Sequence, residues 1–231
     1  ARLRGLAGKL EAGRYEIEGG MSNSQIVDIL SKGQTYAVKF AVPEGFNIVK
    51  IGRKLEAEGL GNAAKFEEAA RNYTPYPYME TNNPAVIFKA EGFVYPTTYQ
   101  IDPDLSEKEI LAIMVQTFNA EMNKEKIPEL ARQKEISLRD LINLASMVEL
   151  EAVFEEEQPR IAGVFLKRLR IFMPIQSDTT IQYLLGAQKE EVTIADTKID
   201  SPYNTYQNQG LPPGPIASPG MKAIKATLFP E

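Results

Sequence analysis

Apolar residues recur along this chain with two spacings, and the spacing switches several times. Residues 15–18 alternate as Tyr-Glu-Ile-Glu, the period of a half-buried strand, and end at Gly19-Gly20. Ser22 or Ser24 then offers an N-cap to a helix whose apolar positions Ile26, Ile29 and Leu30 fall at i, i+3 and i+4, with Gly33 as its stop. Alternation returns over 36–42 around Lys39, before Pro43-Glu44-Gly45-Phe46. A second helix is predicted over 48–58, ended by Gly59, and a short one over 65–72. Strand, helix, strand and helix in this order describe a small α+β unit.

Tyr73-Thr74-Pro75-Tyr76-Pro77-Tyr78 breaks that pattern. Three tyrosines among prolines can form an aromatic shelf, but a packed connector is the simpler expectation, and a domain boundary is placed here. Beyond it the pattern turns helical. Ser106-x-x-Glu109 has the form of a capping box ahead of Ile110, Leu111, Met114 and Phe118, and Ser137-x-x-Asp140 repeats the device. A further helix is predicted over 160–169 with Ile161, Val164, Phe165 and Leu169 inward. On a wheel of 3.6 residues per turn the Ser137 helix buries Leu138, Leu141, Leu144, Ala145, Val148 and Ala152. Glu149 and Glu151 fall on opposite flanks of that stripe, so only one of them can line a cleft. The prolines of 201–216 bar a helix and make a poor central strand, yet the stretch interleaves tyrosines, an asparagine and a threonine with its turn formers. It reads as a rigid loop, suited to a sugar-binding wall or packed on its own side chains as a surface loop.

With 231 residues and 43% hydrophobic content, the chain can build one large core or two modest ones. Its 26 basic and 31 acidic residues give a net charge of −5 without a long basic run, which argues against nucleic acid as a partner. Cysteine and histidine are both absent. That excludes disulfides, thiol nucleophiles, His-dependent triads and Cys/His metal sites, and leaves proton transfer to carboxylates, lysines or tyrosines. No metal and no cofactor is expected. No run is long and apolar enough to span a membrane. The opening Ala1-Arg2-Leu3-Arg4-Gly5-Leu6 looks like the middle of a helix, so the chain is read as a piece of a longer protein.

Four ordered blocks carry a resemblance. They are Glu91-Gly92-Phe93-Val94-Tyr95-Pro96-Thr97-Thr98-Tyr99, then Leu144-Ala145-Ser146-Met147-Val148-Glu149-Leu150-Glu151-Ala152, then Gln176-Ser177-Asp178-Thr179-Thr180-Ile181-Gln182-Tyr183, and last Tyr203-Asn204-Thr205-Tyr206 followed by Gly210-Leu211-Pro212-Pro213-Gly214-Pro215-Ile216. In this order they resemble the YceG-like family, the endolytic murein transglycosylases. The resemblance implies an α+β fold. A small LysM-like, membrane-proximal module would occupy residues 1–80. An α-dominated, lysozyme-like catalytic lobe with a loop-rich C-terminus would occupy 81–231 and be incomplete at its end. It also implies cleavage of peptidoglycan glycan strands between MurNAc and GlcNAc to leave 1,6-anhydro-MurNAc ends, on nascent strands. The expected partners are glycan strands and peptidoglycan synthases. The expected place is the outer face of a bacterial cell membrane, held by a single-pass anchor outside this chain.

One carboxyl suffices for such chemistry, because the muramoyl C6 hydroxyl is a nucleophile tethered to the substrate, whereas hydrolysis usually needs two. Related transglycosylases carry the acid directly before a small residue, which selects Glu151, before Ala152, and leaves Glu149, before Leu150, in reserve. By the same resemblance Gln176, Asp178, Thr180 and Tyr183 line the cleft, and Tyr203, Asn204, Thr205 and Tyr206 wall its other side, with Asn204 bridging to an acetamido group. Asp178-Thr179-Thr180 also reads as a helix N-cap and Asn204-Thr205 as a turn. Two other readings stand beside this one. A noncatalytic peptidoglycan-binding protein would keep the fold and groove. A pyridoxal-phosphate lyase would need a glycine-rich phosphate loop, which the sequence lacks.

Overall fold

The computed structural model describes residues 10, 15–32, 36–186, 189 and 191–231. The expected helix stop at Gly33 and the opening six residues lie outside them. Helix α1 (Asn23–Ser31) is capped by Ser22, whose hydroxyl accepts from the Gln25 amide while the Gln25 side chain reaches back to Ser22. None of its residues is fully buried. Residues 15–18, expected as a strand, are irregular; they find no neighbouring strand to complete a ladder among the described residues.

Strand β1 (Val38–Ala41) is antiparallel to β2 (Thr98–Ile101), with Phe40 opposite Tyr99 and Val38 opposite Ile101. Between them come α2 (Ile48–Ala57), capped by Asn47, and α3 (Ala63–Arg71), capped by Asn62. The tyrosine-proline stretch is a packed connector with one 3-10 turn at Pro77–Met79. Tyr76 stacks on Tyr78 at 5.5 Å, and the Tyr78 hydroxyl donates to Asn119 Oδ1 at 3.1 Å. The helices α4 (Glu107–Lys124), α5 (Ile127–Gln133), α6 (Leu138–Glu151), α7 (Gln158–Arg170), α8 (Asp178–Leu185) and α9 (Met221–Leu228) come after β2. Both capping signals are real: Ser106 and Glu109 form a full box, and Ser137 Oγ accepts from the Asp140 amide at 3.0 Å. Among the described residues the result is α-dominated with one small two-stranded sheet, an α+β fold.

The larger core holds Phe40, Ile51, Leu55 and Phe66 together with Phe93, Met114, Phe118, Ile142 and Leu228. This core crosses the boundary expected at 80/81. So does the sheet, and so do the bonds from Gly45 N to Ser218 O (2.9 Å) and from Ser218 N to Phe46 O (2.8 Å). Residues 38–80 therefore share one body with the C-terminal helices instead of forming a separate lobe. Strand β1 finds its ladder partner only beyond residue 80, and the packed pair α2 and α3 leans on α4, so this part folds against the rest of the chain.

Helix α6 is the axle. All eight residues from Leu141 to Val148 are buried, since α5, α7, α8 and α9 pack around it. A single apolar stripe was expected; instead the far side is covered by the proline-rich loop. Two polar residues allow this. Asn143 Nδ2 donates to Pro212 O at 2.7 Å, and Ser146 Oγ accepts from Ile216 N at 3.1 Å. Buried backbone groups of a loop need such partners, because an unpaired one costs about 1–3 kcal/mol. Gly92 completes the fit: its φ is +81°, and a Cβ there would lie 2.4 Å from Pro215 Cβ.

Candidate active site

The site is assembled where α6 stops. Ala152 leaves the helix with extended backbone (φ −73°, ψ 128°), so Glu151 ends the last turn and points away from the packed axle. Opposite it, the segment between α7 and α8 is pinned by Arg168. Its backbone carbonyl accepts from Met173 N at 2.8 Å, and its guanidinium donates to Ile175 O. Gln176 has φ +54°, a left-handed conformation that a residue with a Cβ adopts at a cost of about 1–2 kcal/mol. The strain is held by Gln176 N donating to Thr205 O at 3.0 Å. The turn delivers Ser177 into the interior, where its amide donates to Thr205 Oγ1 (3.0 Å) and its hydroxyl to Glu151 Oε2 (2.8 Å).

Behind this contact stands a wholly buried hydroxyl cluster. Thr180 Oγ1 lies 2.9 Å from Thr205 Oγ1 and donates to Ser177 O at 2.8 Å, and Thr179 Oγ1 lies 2.7 Å from Ser177 Oγ. The loop of 203–206 is thus welded to the start of α8, and through Ser177 to Glu151. The carboxyl opens on a cavity of about 510 Å³. Glu151 and Gln176 form one side of it, and one face of α7 forms the other.

Burial is the main cause that raises the Glu151 pKa above the ordinary carboxylate value, and the neighbouring Asp178 charge adds to it. The Ser177 hydroxyl and Arg168 pull the other way. Its place at a helix C-terminus, the negative end of the macrodipole, also favours the protonated form. Glu149 is raised too, chiefly by burial and then by Glu44 and Glu155, but it faces elsewhere. Its Oε2 accepts from Gly220 N at 3.0 Å and so caps α9. The two glutamates stand on different sides of α6 and do not share a site.

The remaining expected residues fall into three groups. Gln176, Asp178 and Tyr206 stand around Glu151; the Tyr206 hydroxyl donates to Asp178 Oδ1 at 2.5 Å, and burial, then Asp178, then the Glu151 charge push the Tyr206 pKa up to about 12. Thr180 and Thr205 are buried scaffold behind Ser177. Tyr203 and Asn204 are buried, and Tyr183 is half-buried beside them. Tyr183 packs on Tyr203 at 5.2 Å and donates to Glu91 Oε2 at 3.3 Å. The amide of Asn204 is fully buried and donates to Thr197 O and Ile199 O, so it is not placed to bridge to an acetamido group.

Ser177, Glu91 and the α7 face were missed as individuals. Ser177 had a signal, as the small polar residue before a helix start. Glu91 had none beyond its block, because its partners are Ile48 N (3.0 Å) and Tyr183, 43 and 92 residues away.

Among the described residues, a helical body with a small sheet carries Glu151 exposed at a helix end, facing a groove. The comparisons with known proteins give the family: the sequence model of the YceG-like family matches residues 1–231, and the chain belongs to that family. It is 34% identical over 257 residues to a Bacillus subtilis (strain 168) protein named endolytic murein transglycosylase, covering 100% of this chain and 66% of that one. A Streptococcus pneumoniae (serotype 2, strain D39) protein of the same name is 30% identical over 250 residues, covering 95% of this chain and 44% of that one. The chain thus spans from under half to about two thirds of these relatives' length. A crystal structure of a yceG-like protein from Listeria monocytogenes superposes with a TM-score of 0.77 at 32% identity, covering 96% of this chain and 77% of that one.

Proposed function

We propose that this chain is the catalytic part of an endolytic lytic transglycosylase that cuts peptidoglycan between MurNAc and GlcNAc. The observation that carries this reading is Glu151: a carboxyl held by Ser177, raised in pKa by burial, and open to a cavity of about 510 Å³. Protonated, it donates to the glycosidic oxygen as the C1–O bond breaks. The C6 hydroxyl of the same muramoyl ring then closes on C1, and the Glu151 carboxylate takes the hydroxyl proton. The product is a 1,6-anhydro ring and a free GlcNAc hydroxyl, with no water consumed. Gln176, Asp178 and Tyr206 are the residues placed to orient the sugar.

The finer parts of the reading, namely nascent strands as substrate, peptidoglycan synthases as partners and a place outside the cytoplasm at the membrane, are proposed on the sequence resemblance. No described helix is long and apolar enough to cross a bilayer; a single-pass anchor is proposed on the resemblance. A LysM-like role for residues 1–80 is proposed on the resemblance alone.

Digestion of purified glycan strands followed by mass spectrometry tests the reaction. Fragments one water lighter than hydrolysis products are expected, with Glu151→Gln cutting them by a factor of about 10²–10⁴. Hydrolytic products would point to Asp178 as a second carboxylate, and binding without products to a noncatalytic protein.

A further inference from the structure

Helix α7 turns one continuous face to the Glu151 cavity, formed by Arg160, Ile161, Val164, Phe165 and Arg168 and extended by Glu157 just ahead of the helix. Spacings of three and four keep these residues on one side of the helix. Val164 belongs to that face at 45% exposure, although its sequence pattern points it inward. Two cations stand at the ends of an apolar middle. Arg168 is in electrostatic reach of Glu151 and Tyr206. Arg160 lies eight residues earlier, roughly 12 Å along the axis. It makes no ion pair among the described residues. The acid on this face, Glu157, accepts from Phe154 N at 3.2 Å.

We propose that this face of α7 is a subsite for the peptide branch of peptidoglycan, and that Arg160 is the specificity-determining residue that binds a carboxylate of that peptide. The inference rests on the transglycosylase reading above. The lactyl group is carried by the same sugar ring whose bond breaks, so it lies beside Glu151, at the Arg168 end. A peptide joined to it runs on along α7. An extended chain covers about 12 Å in three to four residues. Its alanine methyl groups meet Ile161, Val164 and Phe165, and an acidic residue reaches Arg160. A stripped strand also carries carboxylates, but on the lactyl groups themselves, within reach of Arg168 and not of Arg160.

The test compares kcat/KM on peptide-bearing strands and on amidase-stripped strands, for the wild type, Arg160→Gln and Arg160→Lys. Arg160 is exposed, so folding is preserved, which circular dichroism checks. The wild type is expected to prefer peptide-bearing strands by about tenfold, the ratio expected of one charge-assisted hydrogen bond. Arg160→Gln should bring that ratio to about one, and Arg160→Lys should keep part of it. Equal cutting of both strands by the wild type, or an Arg160→Gln variant that keeps the preference, overturns the subsite and leaves the transglycosylase reading standing. A wild type that cuts neither strand overturns both.

Discussion

Glu91 is a carboxyl with 1% exposure that the proposed chemistry does not use. It joins three segments: Oε1 accepts from Ile48 N at the start of α2, Oε2 accepts from the Tyr183 hydroxyl on α8, and the chain continues into Gly92 against Pro215. Burial pushes its pKa from the ordinary 4.5 up to about 8, against the lowering effect of hydrogen bonds from Ile48, Tyr183 and Gly92. The folded state therefore holds this proton more tightly than the unfolded chain. Its contribution to stability is complete below about pH 4.5 and is lost as pH rises through about 8. A rise from 4.5 to about 8 corresponds to an upper bound on the order of 4–5 kcal/mol, at about 1.4 kcal/mol for each pKa unit. Glu91→Gln keeps the shape and can keep both contacts, since the amide oxygen accepts from Ile48 N and the tyrosine oxygen accepts from the amide NH₂. It removes the titration. Thermal denaturation from pH 5 to 9 should show wild-type stability falling with pH, and Glu91→Gln should flatten most of that slope. The part belonging to Glu149 and Glu151, which are raised as well, remains. Parallel slopes for the two proteins would falsify the assignment of the alkaline loss to Glu91.

Ser177→Ala removes a hydrogen bond that favours the charged form of Glu151. The alkaline limb of the pH–rate profile should move up by about one unit, since such a bond contributes about 1.5–3 kcal/mol; an unmoved limb means Ser177 does not tune the acid. Gly92→Ala forces a Cβ to 2.4 Å from Pro215 at φ +81°. Strain and overpacking should together cost about 3 kcal/mol, a fall of roughly 10 °C in Tm, and a loss under about 2 °C would show that the loop can yield.

Much of the local structure was legible in the residues alone. Ser22, Ser106 and Ser137 each start a helix where the pattern places it, because a capping hydroxyl and the amide it satisfies lie within three residues. The position of Glu151 on the flank of α6 came from helical period, and period is a local property. The absence of histidine and cysteine narrowed the chemistry without any structure.

What only the tertiary structure decided involves partners far apart in sequence. The chain gives no local sign that β1 pairs with β2 some 60 residues later, so residues 38–80 looked separable. Nor does it reveal that Asn143 and Ser146 face a proline-rich loop about 70 residues away and turn α6 from an amphipathic helix into a buried one. Tyr203 and Asn204 have the composition of a sugar wall, yet both are buried, whereas Arg160 and Val164 on α7 are among the residues facing the groove. Composition tells what a side chain can bind. Whether it meets a carbonyl of its own chain or an open cavity is settled by packing, because most buried polar groups find their partners within the fold before any ligand arrives.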